Sequence, residues 1–179
     1  MSIRFSLFLA LALLVGACTP KVQFDEPMPP SRWNMPNIPK DFRGTFLNGE
    51  GEVDMRIGKD TIFNGEQVLV NGEDFLLRRM AGHVVFSQPV PETGHWEVFV
   101  LRKEGDDMVL GSFKDDDAFL RRMATLLEEA PERQKSGGTP GYKYTLIRPS
   151  TKEFKAMLKE RLYEEDDPQP LPRGGTVRP

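Results

Sequence analysis

Trp96-Glu97-Val98-Phe99-Val100-Leu101 is the run that decides the fold. β-branched and aromatic residues dominate it, and these side chains suit a pleated backbone. Its apolar residues fall on both faces of a period-two strand, which places it centrally in a sheet. Downstream, Glu104-Gly105-Asp106-Asp107 turns the chain into Met108 to Phe113. Upstream, Phe75 to Met80 and His83 to Phe86 flank Ala81-Gly82 and read as a hairpin. Further upstream, Val53, Met55 and Ile57 alternate with Glu52, Asp54 and Arg56, the pattern of a half-buried strand. Asn64-Gly65 and Asn71-Gly72 are turn signals that bracket the alternating pair Val68 and Val70. Tyr142 to Ile147 supplies a late strand. Seven or eight strands at such short spacing predict an antiparallel meander.

Two helices interrupt the strands. Asp115, Asp116 and Asp117 precede a predicted helix over Ala118 to Glu129, with Phe119, Leu120, Met123, Leu126 and Leu127 on one face. Negative charge before a helix complements its exposed amides and dipole, so the acidic triplet reads as a cap. The second helix opens at Ser150 with Glu153 three residues on, a capping box. Its stripe is Phe154, Met157, Leu158 and Leu162. The fold class expected is therefore mainly β (α+β): an antiparallel meander, or a small barrel or half-barrel, with two amphipathic helices packed against it.

The chain has 179 residues, a formal charge of −3, two histidines and a single cysteine. No basic face points to nucleic acid. The start is organised differently from the rest. A short basic segment carrying Arg4 leads into an apolar stretch from Phe5, which ends in Leu14-Val15-Gly16-Ala17-Cys18. That layout is a secretory signal, and the stretch is shorter than the ~20 residues needed to span a bilayer. Cys18 just past small residues resembles the lipobox of bacterial lipoproteins. The resemblance implies removal of residues 1–17, lipid attachment at Cys18 and an oxidising envelope compartment. The membrane is then a partner through the anchor, and an envelope protein is a second expected partner. Thr19, where an inner-membrane protein of this class typically has aspartate, implies the outer membrane, facing the periplasm or the cell surface.

Residues 18–40 read as the lipidated cysteine and a tether, because Pro20, Pro27, Pro29, Pro30, Pro36 and Pro39 fall there. An extended tether of this length lifts a domain by up to roughly 60 Å. Phe24 and Trp33 interrupt its polar character and are expected to dock on the domain. Residues 41–163 form the globular part. Pro131 to Gly141, rich in glycine and charge, reads as a mobile connection. Residues 164–179, acidic and then rich in proline and glycine, read as a disordered tail. Gly44-Thr45-Phe46, reached through Ile38-Pro39, Asp41 and Phe42, is loosely similar to the Gly-x-Trp entry of lipocalin-type lipoproteins, with phenylalanine in the tryptophan's place.

Chemistry-bearing patterns are sparse. His83 and His95 lack a spaced second ligand, Ser87 and Ser112 lack a nucleophile-elbow pattern, and Gly137-Gly138 lacks the lysine and hydroxyl of a phosphate loop. Asp115 to Asp117 lacks the alternation of a calcium loop. No catalytic residue, metal or cofactor is expected. The paired cations Arg78-Arg79 and Arg121-Arg122 read as surface charge, with an anion or headgroup site as the sharper alternative. Trp96, Phe99, Tyr142 and Tyr144 would line a ligand cavity if the sheet closed into a barrel, and otherwise belong to the core. The expected role is a non-catalytic interaction or structural one in the envelope. The alternatives are a lipocalin-like binder of a small hydrophobic ligand and, third, a hydrolase using His83 or His95 as base.

Overall fold

The computed structural model describes residues 21–47, 53–65, 67–135, 142–166 and 169–170. The signal, Cys18 and the last nine residues lie outside them. The described chain is mainly β with two helices packed on it, as the residue pattern predicts. The sheets stay open, and no barrel forms.

The Trp96 run lies in β8 (His95–Glu104) at the middle of a nine-stranded sheet. One edge of β8 pairs along β7 (His83–Val90), which in turn pairs with the edge strand β6 (Leu76–Met80). Its other edge is shared. The far half pairs with β9 (Asp107–Ser112), and Trp96 pairs with Phe24 of β1 (Lys21–Phe24). β1 runs parallel to β11 (Tyr142–Ile147), which carries β10 (Glu132–Lys135) on its outer side. A second sheet of four strands contains β2 (Gly44–Leu47), β3 (Val53–Ile57), β4 (Thr61–Asn64) and β5 (Gln67–Val70), paired in sequence order.

The two apolar faces of β7 and β8 explain the layering. Val85, Val98 and Val100 point to one side, where α1 (Asp117–Ala124) and α2 (Thr151–Lys159) contribute Leu120, Met123, Phe154, Met157 and Leu158. Val84, Phe86 and Phe99 point to the other, against Phe46, Met55, Ile57, Ile62 and Leu69 of the small sheet. The result is three layers: helices, large sheet, small sheet. The two outer layers are amphipathic and bury their apolar faces on the large sheet, which is apolar on both sides.

Both helix starts are as the sequence predicts. Asp116 accepts a hydrogen bond from the Phe119 amide at 2.9 Å. Ser150 and Glu153 form the full capping box. Glu153 also accepts from the Glu128 amide, tying the end of one helical segment to the start of the other. α1 stops at Ala124 rather than Glu129. The Thr125 hydroxyl bonds back to the Arg122 carbonyl at 2.7 Å, an alternative to continued helix. Leu126 and Leu127 still pack on the same core from the turn that follows.

Four expectations are corrected. The segment 21–40 is no tether: Val22, Phe24, Met28 and Ile38 are buried, and Lys21–Phe24 is an interior strand. Its prolines fall after that strand, where they leave its ladder intact. The acidic start of the tail is ordered too. β12 (Glu164–Glu165) and β13 (Gln169–Pro170) pair with the outer edge of β9, and the Asp166 amide donates to the Leu110 carbonyl at 2.9 Å. Charge repulsion among these acids is relieved by Arg102, which grips Glu165 with two hydrogen bonds at 2.9 and 3.2 Å and also meets Glu104. Part of the connection 131–141 is strand β10. Val68 and Val70 face away from the core while Leu69 faces in. The outward Val68 lies opposite Phe63, a cross-strand apolar pair beside Arg56.

Candidate functional site

The proline-rich residues after β1 make the most unusual surface of the protein. Beyond Phe24 the chain becomes a strap, residues 25–38, laid from the helix side across β7 and β6 to the small sheet. Prolines provide carbonyls but no amides, so the surrounding elements satisfy the strap's acceptors. Arg78 donates to the carbonyls of Pro27 and Pro29 and, through Nε, to Asn34 Oδ1 at 2.9 Å. Thr151 Oγ1 donates to Pro30 O at 2.9 Å, and Asn71 Nδ2 to Met35 O at 2.7 Å. The buried Ser87 hydroxyl accepts the Met28 amide at 3.0 Å, and the Met35 amide donates to Leu77 O. Arg78, read as one half of a surface cation pair, is thus a structural clamp. Arg79, Arg121 and Arg122 remain exposed.

Between two such clamps stands Trp33, 94% exposed, with exposed Arg32 before it and Ser31 at a φ of 55°. The expectation that Phe24 and Trp33 dock on the domain is right for Phe24 and wrong for Trp33. A large aromatic held in water on a pinned segment costs apolar exposure without stabilising the fold. Tryptophan and arginine are also the residues most enriched at the energetic centres of protein interfaces.

The four aromatics proposed to line one cavity are separated. Trp96 packs against the helix-side core and Phe99 against the small sheet, on opposite faces of β8. Tyr144 is half-buried, its ring 5.6 Å from that of His95. The Tyr142 side chain is outside the described residues. An open sheet with both faces used for packing cannot gather alternate residues into one lumen.

His83 is buried and belongs to the packing of the C-terminal strap. Its Nδ1–H donates to the Ala81 carbonyl at 2.9 Å, so Nε2 accepts the Tyr163 hydroxyl at 2.8 Å. Burial holds the imidazole below its usual value, and the nearby Arg102 charge adds to that shift. Burial likewise raises the Tyr163 phenol. Neither bond partner is a serine or a carboxylate, the arrangement a hydrolytic nucleophile would use. A pH dependence follows. The unfolded chain takes up a proton near pH 6.5 while the folded imidazole resists it. This contribution to stability is full above that pH and is lost as pH falls below it. In urea titrations at pH 7 and pH 5.5, wild type is expected to lose more stability on acidification than His83→Gln. Equal losses would place the His83 proton in water.

A groove of about 230 Å3 lies where the strap meets the ends of both helices, with Asp25, Glu26, Glu128, Glu129, Glu153 and Arg148 around it. It is smaller than ordinary ligand sites of ~300–1,000 Å3. Its polar groups already serve the fold: Glu153 caps α2, and Arg148 pairs with Glu132 at 3.1 Å. Among the described residues no cluster of three or more potential metal ligands occurs.

The fold is thus a three-layer α/β/β sandwich with an ordered proline strap. No family model, curated protein or solved structure matches the chain.

Proposed function

We propose that the chain is a lipid-anchored protein of the bacterial cell envelope, in the outer membrane, whose domain has a non-catalytic interaction role. The lipobox-like Leu14-Val15-Gly16-Ala17-Cys18 supports the anchor. The observation that carries the interaction role is Trp33, fully exposed on a strap that at least six hydrogen bonds fix in place. A strap whose backbone is already held in place lowers the ordering cost of binding a protein partner. Arg32 and Trp33 would form the centre of that contact. The separation of Trp96, Phe99 and Tyr144 removes the main support for an interior ligand site.

Trp33→Ala is expected to leave the melting temperature nearly unchanged, within the ~0.5 kcal/mol usual for exposed sites. It should abolish stoichiometric recovery of an envelope protein in an affinity pull-down of the lipidated chain from its own membranes. Recovery of the same partner by the variant would refute the role of Trp33. So would quenching of Trp33 emission by brominated lipids, which would put the indole in the bilayer instead.

A further inference from the structure

We infer, resting on the reading of Trp33 as the centre of a protein contact, that the partner it meets is a second copy of this chain. A two-fold axis sets Arg32 and Trp33 of each copy against the acidic groove of the other. One guanidinium shapes the protruding half of this surface. Arg78 holds the Pro29 carbonyl at 2.8 Å and Asn34 Oδ1 at 2.9 Å, so both ends of the segment 29–34 are drawn to a single side chain of β6. The residues between them loop away from the domain, and Ser31, Arg32 and Trp33 are all exposed. The loop is therefore a knob that carries one cation and one large aromatic.

The receiving half lies beside it. Pro30, next to the first anchor point, lines the groove together with Pro149, five carboxylates and the single guanidinium of Arg148. Glu153 is used as a helix cap, and Arg148 is shared between Glu132 and Asp25. Glu128 and Glu129 are exposed and carry no side-chain ion pair among the described residues, and neither does Arg32. An unpaired cation and unpaired carboxylates thus share one patch without meeting, with the turn at Pro30 and Ser31 between them. Each is the complement of the other. A patch that holds both halves of an interaction is self-complementary, and two-fold symmetry makes each contact twice. A uniformly basic partner would set like charge against Arg32, and a uniformly acidic one would set it against the groove. Like charges across an interface suppress association. A second copy avoids both conflicts and brings each indole to the proline-lined rim of the opposite groove.

The test is a charge swap between two differently tagged copies of the full chain, co-expressed and recovered through one tag from detergent-solubilised membranes. Wild-type copies should be recovered together. Arg32→Glu in both copies sets like charge on the groove, and so does the double variant Glu128→Arg with Glu129→Arg. Each is expected to cut co-recovery about ten-fold or more. When one copy carries Arg32→Glu and the other carries the double variant, opposite charges meet at both contacts. That mixture should return to within about three-fold of wild type. All three positions are exposed, and an unchanged melting temperature is the control for folding. Wild-type co-recovery of either variant with itself, or no restoration in the mixture, would overturn the self-association. Recovery of a different envelope protein, lost in Trp33→Ala, with no second copy present would also overturn it and leave the interaction role standing. Co-recovery of two copies that Trp33→Ala leaves unchanged would remove Trp33 from the contact, and this inference with it.

Discussion

Phe24→Ala is expected to remove a large share of the protein's stability, about 4 kcal/mol. Phe24 has no exposed surface. Its ring meets Phe113 edge-on at 5.1 Å and Phe154 at 6.0 Å, so it joins β1, the segment after β9, and α2. Truncating a buried phenylalanine costs roughly 3–5 kcal/mol through lost transfer energy and the cavity left behind. Edge-to-face partners add about 0.5–1.5 kcal/mol beyond area. Domains have only ~5–15 kcal/mol in total. For a chain of this size 1 kcal/mol moves the melting temperature by about 2–4 °C, so thermal unfolding should drop by roughly 8–16 °C. A residue in a solvated tether would give no measurable change. A shift below about 2 °C would therefore remove β1 from the fold.

Gly111→Ala should be the most damaging single-methyl addition. Gly111 lies in β9 between Val100 of β8 and Glu165 of β12. A Cβ built there would stand 2.8 Å from Val100 Cγ2 and from Tyr163 Cε2, and closer still to a second ring atom. Glycine is required by close approach, because the Tyr163 ring lies over its backbone. Over-packing a core costs about 1–3 kcal/mol, and the relief available is to lift the ring. That movement also breaks the bond from the Tyr163 hydroxyl to His83 and disturbs the Arg102–Glu165 clamp beside it. We expect a loss of about 2 kcal/mol in urea unfolding. The pH dependence assigned to His83 should weaken in the same variant. Full wild-type stability would mean that Tyr163 does not pack on this strand.

Legibility in the sequence followed the length of each apolar pattern. β8 was readable because ten residues carry a two-faced run, and the helices because each has a cap and a stripe. β1 was hidden because it has only four residues, Lys21-Val22-Gln23-Phe24, followed by a cluster of prolines. Composition over the window outweighed the Val22/Phe24 alternation, which was the available signal. β12 was hidden for a related reason. Glu164 and Glu165 are exposed and stay in place through ladder pairing and ion pairs, Glu164 with Lys114 and Glu165 with Arg102, partners 50 and 63 residues away in sequence. Trp33 could be noticed but not placed. Whether it docks depends on where Arg78, Asn71 and Thr151 hold the strap, and none of these is near it in the chain.

The strap depends on β1 being an interior strand. Amide hydrogen exchange over Val22–Phe24 tests this most directly. With a four-residue parallel ladder to β11 and a pairing to β8 at Phe24, and with Val22, Gln23 and Phe24 all buried, these amides should be strongly protected, as those of Val98–Val100 in β8 are. Exchange at the rate of an unstructured peptide, while β8 stays protected, would contradict the account and return this segment to the role of a tether.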